Sequence, residues 1–124
     1  MFDFEQLNVY QKALFLVKII FKFLENNRNI DYFLQDQLKR AVVSISLNIA
    51  EGTGRFTVPD RRRFYTISRG SAFEVVATVQ IIANQYVIKS EDYENIRNLT
   101  QEISKMLFGL INKTTLKNPL ETRP

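Results

Sequence analysis

Cysteine and histidine are both absent from this chain of 124 residues. Without cysteine there is no disulfide framework and no thiolate metal site. Without histidine, most zinc sites, Ser-His and Cys-His nucleophile pairs and di-iron bundles built on Glu-x-x-His are excluded as well. We therefore expect no enzymatic activity and no cofactor.

Glycine is scarce, and a long uncharged apolar run is missing. The one glycine-rich segment, Gly52 to Arg55, lacks the spacing of a phosphate-binding loop and has no preceding strand. The most apolar stretch, Ala13 to Leu24, is interrupted by Lys18 and Lys22 and is too short to span a bilayer. Because the N-terminus is acidic where a signal peptide is basic, we expect a cytoplasmic protein with no membrane association.

The residues that are present indicate one helical domain. Apolar residues make up 45% of the chain, enough to bury a core, and they recur at steps of three and four in four successive segments. Short turns between long helices make neighbouring helices antiparallel. The sequence predicts an all-α, antiparallel up-down-up-down four-helix bundle over residues 1–116, with a flexible tail over 117–124.

Capping residues predict where these helices begin and end. The first helix is predicted to start at Asp3, and the second to run from Asp31 to Glu51. Gly52 to Gly54 should end the second helix through the left-handed conformation that glycine tolerates. The third should begin in the Thr57-Val58-Pro59-Asp60 capping box, and the fourth at Ser90.

Two helices carry more apolar surface than a lone bundle can bury. The predicted core seam of the first helix comprises Leu7, Tyr10, Leu14, Val17, Phe21 and Leu24. A second apolar stripe beside it comprises Val9, Ala13, Leu16, Ile20 and Phe23. The third helix has no charged residue from Val75 to Ile88. Large exposed apolar patches mark association surfaces, so we expect a homo-oligomer built on the first and third helices; a slightly apolar monomer is the alternative.

Polar residues follow the apolar seams of the second and third helices. They are open to two interpretations, a ligand or catalytic pocket and a hydrogen-bonded network that locks the helices or subunits together. We favour the network, because buried polar groups need partners and commonly specify packing. Its predicted members are Ser44, Asn48, Glu51, Ser71 and Glu74. Gly70, in the middle of the third helix, is expected to allow close approach of a neighbouring helix.

The net charge of +4 is concentrated between Lys39 and Glu74, while the rest of the chain is neutral. Arginines in the first turn of a helix lie at the positive end of its dipole, where cations are unfavourable. These arginines are either a solvated charged end of the helix or a phosphate-binding edge. For nucleic-acid binding, we favour contact with the sugar-phosphate backbone without reading of the base sequence. The candidate nucleic-acid-binding residues are Lys39, Arg40, Arg55, Arg61, Arg62, Arg63 and Arg69.

Three segments in the middle of the chain resemble a bacterial family signature. They are Arg40 to Ile45, Asn48 to Gly52, and Gly54-Arg55, and further agreement lies in Leu7 to Gln11 and in the segment Arg63 to Glu74. The family comprises small four-helix proteins encoded in intervening sequences of 23S ribosomal RNA genes, and it is related to accessory variability proteins of diversity-generating retroelements. Two departures, Tyr10 for tryptophan and Ser46-Leu47 for a pair containing proline, are compatible with the packing.

The resemblance implies more than the residues do alone. It implies a ring-like homopentamer without catalytic activity, and the retroelement members bind nucleic acid and a reverse transcriptase through basic surface. The residues that match the signature polar positions are Arg40, Asn48, Glu51, Arg55, Arg69 and Glu74, and we expect them to serve fold and assembly.

The sequence is compatible with three candidate functions. The first is a non-enzymatic oligomeric scaffold that binds RNA or DNA without sequence specificity. The second is a protein-interaction adaptor, for example for a reverse transcriptase, with no nucleic-acid role. The third, an enzyme that uses Glu51 and Glu74, has little support because no histidine, cysteine or metal-ligand spacing accompanies the two carboxylates.

Overall fold

A computed structural model describes residues 1–121 of the chain, and the side chains of residues 1–114. A 3₁₀ turn, Asp3–Gln6, is followed by α1 (Asn8–Glu25), α2 (Tyr32–Thr53), α3 (Val58–Gln85) and α4 (Ser90–Glu121). This range contains no strand, so the predicted all-α class is confirmed. The side chains of the predicted tail, residues 117–124, and the backbone of residues 122–124 lie outside the described part of the chain. The boundary of the tail therefore stays a prediction.

The four helices are arranged as a square. Each contacts its neighbours in the chain, α1 also contacts α4, and the two diagonal pairs share no contact within the described residues. The contact between α2 and α3 is the most extensive. Hydrogen bonds join Ser44 to Ser71 and Thr53 to Tyr65, so residue numbers rise along α2 as they fall along α3. These two helices are therefore antiparallel.

The start of α1 differs from the prediction. The first turn is 3₁₀, and Glu5, not Asp3, supplies its cap, because the Phe2 N–H donates to Glu5 Oε1 at 2.8 Å. Leu7 then has extended backbone angles, φ −76° and ψ 128°, and α1 begins only at Asn8. The predicted start at Asp3 is wrong because the first capping signal closes a separate short turn.

The other helix starts follow their local signals. The Asp31 side chain accepts the Phe33 N–H at 2.8 Å, and the Thr57 hydroxyl accepts the Asp60 N–H at 3.3 Å. The fourth helix begins at Ser90, as predicted. The second helix continues to Thr53, two residues beyond its predicted end at Glu51.

The core selects the other stripe of α1. Leu14 and Phe21, members of the predicted seam, are exposed, whereas the stripe that was expected to be surplus is buried. Both stripes have the helical period, and only packing against α2 and α4 distinguishes them. The buried residues of α1 are Val9, Ala13, Leu16, Ile20, Phe23 and Leu24.

Glycine has a different role here from the predicted one. The second helix closes at Gly54 with φ −83°, and no described residue has positive φ, so the left-handed stop is wrong. Gly52 is required by contact instead: a Cβ built there would lie 2.9 Å from Tyr65 Cε1 and 3.0 Å from Phe64 Cβ. At Gly70 a Cβ would meet nothing within 4 Å, so the expected close approach occurs at Gly52 and not at Gly70.

Over residues 1–121, no helix combines the length and the apolar character needed to cross a bilayer.

Candidate nucleic-acid interface

Four arginines meet where α2 ends and α3 begins. We call Arg55, Arg61, Arg62 and Arg63 the arginine corner. Arg55 lies two residues beyond the end of α2, and the other three lie in the first turns of α3. Arg61 Nε donates a hydrogen bond to the backbone oxygen of Arg55 at 2.8 Å. This bond ties the start of α3 to the connecting segment and keeps the four positive charges together.

An aromatic ring holds two of these arginines. The guanidinium carbons of Arg55 and Arg63 lie 4.6 Å and 4.4 Å from the centroid of the Phe64 ring. Guanidinium groups at this distance are attracted to the negative face of an aromatic ring. The arrangement restrains both side chains, so that less side-chain entropy remains to be lost when an anion binds.

Two carboxylates accompany the corner. Glu51 Oε2 lies 2.7 Å from Arg55 Nη2, and Asp60 Oδ1 lies 3.9 Å from Arg63 Nε. The four side chains of these pairs are between 41% and 58% exposed, so solvent screens each pair and it contributes little to stability. No carboxylate within the described residues pairs with Arg61 or Arg62. The corner therefore keeps a positive excess.

A pocket of about 250 Å³ opens beside Arg61. Lys113 of α4 lines it together with Arg61, and Asp3 adds a carboxylate. Lys113 is not among the cations predicted from the sequence, because it is distant in the chain from every one of them. Only the packing of α4 against the start of α3 brings it here.

Arg69 belongs to another part of the surface. Its guanidinium carbon lies 4.7 Å from the Phe73 ring centroid and 5.2 Å from that of Phe108 on α4. Seven residues separate it from Arg62, which corresponds to about 10 Å along the helix axis. The Nε atoms of Arg55, Arg62 and Arg69 are buried without an acceptor in the described structure, which indicates that these side chains are held against the protein.

Lys39 and Arg40 lie far from the corner. Thirteen residues of α2 separate Arg40 from Thr53, about 20 Å along the axis. Lys39 Nζ lies 5.4 Å from the Phe21 ring centroid, and Arg40 Nε lies 2.8 Å from Asp36 Oδ2. The hydrogen bond that Arg40 donates to Asp36, together with the negative charge of Asp36, raises the pKa of Arg40. The seven candidate cations therefore occupy three separate places.

The polar stripe between α2 and α3 forms a smaller network than predicted. Ser44 Oγ and Ser71 Oγ lie 2.8 Å apart, and Asn48 Nδ2 donates to the backbone oxygen and to Oγ of Ser44. Glu51 pairs with Arg55 instead, and no side-chain hydrogen bond joins Glu74 to these groups. Ser68, which donates to the Ile45 backbone oxygen at 2.8 Å, is an additional link across the two helices.

Glu51 and Glu74 do not form a common site. They lie on either side of the Ser44–Ser71 contact, about 15 Å apart along the paired helices. Carboxylates that cooperate on one bond are separated by at most about 9.5 Å. The described residues contain no group of three or more acidic side chains that could hold a metal ion.

The fold and the corner define a small four-helix bundle with four arginines where its second helix ends and its third begins. The sequence matches the family described as 23S rRNA-intervening sequence protein over residues 5–109. The match covers most of the chain, so the protein belongs to this family.

A solved structure agrees with this assignment. The chain is similar to a protein with unknown function from the S23 ribosomal protein family of Bacteroides thetaiotaomicron, with 30% sequence identity and a TM-score of 0.75. The similarity covers 83% of this chain and 97% of the other. Among functionally curated proteins, none matches this chain.

Proposed function

We propose that this protein is a non-enzymatic oligomeric scaffold that binds RNA or DNA through the arginine corner, without reading sequence. The observation that supports it is the fixed, incompletely neutralised charge at the corner: Arg61 and Arg62 have no carboxylate partner among the described residues, while Phe64 holds Arg55 and Arg63. Guanidinium groups match phosphate geometry, and contacts to phosphates carry no sequence information.

The proposed assembly is a ring-like homopentamer, as the family resemblance implies. In one protomer, Phe15 of α1 is 56% exposed and Phe73 of α3 is 54% exposed. Because α1 and α3 occupy diagonal corners of the square, these two apolar surfaces point away from each other. Two different surfaces that pair head to tail generate a closed ring when the rotation between subunits closes. A ring would repeat the arginine corner once per subunit.

The oligomeric state provides the first test. We expect multi-angle light scattering at micromolar concentration to report an oligomer, and Phe15→Glu to shift it toward monomer, because a carboxylate is costly in an apolar interface. Phe33→Glu, at a phenylalanine of α2 that is 63% exposed, is the matched control and should leave the assembly intact. A wild-type monomer would contradict the scaffold proposal.

Nucleic-acid binding is tested by its salt dependence. We expect the affinity for RNA or DNA to fall steeply as salt rises, since each neutralised phosphate of a duplex contributes about −0.9 to the slope of log K against log salt. Fluorescence anisotropy of labelled oligonucleotides over a salt series measures this slope. Equal affinities for unrelated sequences would support backbone contact, whereas a strong sequence preference would contradict it.

A protein-interaction adaptor is the second candidate function. The exposed carboxylates that already accompany the corner, Glu51 and Asp60, indicate that an acidic protein surface could take the same place. The two proposals differ in their response to nuclease. Partner capture that survives nuclease treatment, together with no measurable oligonucleotide binding, would favour the adaptor.

A further inference from the structure

Phe56 has no packing role in the described structure. It lies in the connection between α2 and α3, directly after Arg55, and its side chain is 96% exposed. Its ring forms no aromatic pair and no cation–π contact with the described residues. An aromatic ring so exposed is available to a ligand, and its position places it inside the arginine corner.

The other aromatic rings near the corner are already engaged. Phe64 carries the guanidinium groups of Arg55 and Arg63. Tyr65 is buried, and its hydroxyl lies 2.9 Å from Thr53 Oγ1. Phe2 and Phe4, which line a pocket with Glu51 and Gly54, stack on each other with ring centroids 5.8 Å apart. Of these rings, Phe56 is the one that is both almost fully exposed and without an aromatic or cation–π partner among the described residues.

The connection that carries Phe56 is braced at both ends. Gly54 ends α2 through its N–H, which donates to the Ala50 backbone oxygen at 3.2 Å, and the Arg61 side chain holds the Arg55 backbone oxygen. On the other side of Phe56, the Thr57 hydroxyl accepts the Asp60 N–H at 3.3 Å, and α3 begins at Val58. Phe56 is thus presented next to fixed cations.

We infer that the arginine corner binds single-stranded nucleic acid in preference to duplex, with Phe56 stacking on an unpaired base while the arginines contact the flanking phosphates. This inference rests on the nucleic-acid binding proposed above and specifies its substrate. Every base has a π-face, so stacking on one ring tolerates any sequence. A duplex has its bases stacked internally and offers the corner phosphates alone.

Single-strand binding uses both chemical components of the corner, the arginines and the exposed phenylalanine. Arginines alone attract single strands and duplexes through their phosphates. An exposed phenylalanine adds affinity only where a base can leave its neighbours and lie on the ring. The aromatic contribution is therefore confined to single strands, and its removal separates the two substrates.

The test compares wild-type protein, Phe56→Ala and the matched control Phe33→Ala. Phe33 is also an exposed phenylalanine, at 63%, but it lies in the first turn of α2, at the opposite end of that helix. The probes are oligouridylate and oligothymidylate single strands and an RNA duplex of equal length. Affinities are measured by anisotropy over a salt series, and circular dichroism checks that the helices remain.

We expect Phe56→Ala to weaken single-strand binding roughly 5- to 140-fold, the range for one base–aromatic stack, and to leave duplex binding unchanged. The salt slope should also stay unchanged, because no phosphate contact is removed. Phe33→Ala should bind all probes like the wild type. Unchanged single-strand affinity, or an equal loss on single strands and duplex, would overturn the inference while leaving the proposed function in place.

A second variant reports on stacking directly. The chain contains no tryptophan, so Phe56→Trp introduces a single indole whose fluorescence falls when a base stacks on it. We expect quenching by the single strands and none by the duplex. Absence of quenching at saturating single strand would overturn the stacking. If the wild type binds none of the probes, the proposed function itself fails, and the inference with it.

Discussion

Replacing Arg61, Arg62 and Arg63 with glutamate is expected to lower nucleic-acid affinity by about 100-fold or more at about 0.1 M salt. Each phosphate contact that releases counterions contributes roughly 0.7 to 0.9 to the salt slope, which at this salt concentration corresponds to roughly a 5- to 8-fold change in affinity. Losing three contacts therefore multiplies to at least two orders of magnitude, and repulsion from the new carboxylates adds to the loss. Anisotropy titrations at several salt concentrations measure both the affinity and the slope.

The matched control uses cations at another place on the bundle. Lys39 and Arg40 belong to the same predicted basic set, yet they lie about 20 Å along α2 from the corner. Replacing both with glutamate should cost much less affinity than the triple change, and the circular dichroism spectrum should stay helical in both variants. Equal losses from the two sets would show that net charge, and not the corner, drives binding. No loss from the triple variant would exclude the corner as the site.

Changing Arg61 also removes its hydrogen bond to the Arg55 backbone oxygen. A milder triple change to glutamine separates charge from structure, because glutamine, although shorter than arginine, keeps N–H donors without the positive charge. We expect this variant to lose the same phosphate contacts, and its salt slope should fall by about 2 to 3. A slope equal to that of the wild type would mean that these arginines do not contact phosphate.

Gly52→Val is expected to destabilise the fold by about 2–3 kcal/mol. The first added carbon would already lie 2.9 Å from Tyr65 Cε1 and 3.0 Å from Phe64 Cβ, closer than packed carbons allow. Tyr65 is buried and hydrogen-bonded to Thr53, so its ring cannot simply move into solvent. Urea denaturation monitored by circular dichroism at fixed protein concentration measures the free energy of unfolding.

Gly70→Ala, in contrast, is expected to stabilise the fold. This glycine lies within α3, and a Cβ there meets nothing within 4 Å. Alanine favours a helix interior by about 1 kcal/mol over glycine, so this variant should be more stable than the wild type by up to that amount. If Gly70→Ala is destabilising instead, the open surface around it is occupied in the assembled protein. If Gly52→Val is tolerated, α2 and α3 do not approach as closely as described.

The two glycines illustrate where sequence reasoning failed. Both were interpreted from their position in a helical pattern, one as a left-handed stop and one as a site of close approach. The second helix instead ends with right-handed geometry, and the close approach lies at Gly52. A glycine has the same local signature in each case, because its neighbours in the chain do not reveal which residue of another helix packs against it.

In the candidate site, some features follow from the sequence and others depend on tertiary contacts. The sequence placed Arg61, Arg62 and Arg63 next to each other without any structure, and Arg55 followed from the short connection. Three other features depend on helices meeting in three dimensions. Phe64 holds Arg55 and Arg63, Arg69 packs against Phe108 of α4, and Lys113 lines the neighbouring pocket.

The sequence by itself determined the all-helical class, the number of helices and three of their starts, because caps and the helical period are properties of neighbouring residues. The tertiary structure decided which stripe of α1 is buried, since Val9 and Leu14 belong to stripes of equal period and only contact with α2 and α4 chooses between them. It also divided the basic residues into three places and left Phe56 exposed among arginines. Burial and pairing depend on groups distant in the chain, and no local pattern encodes them.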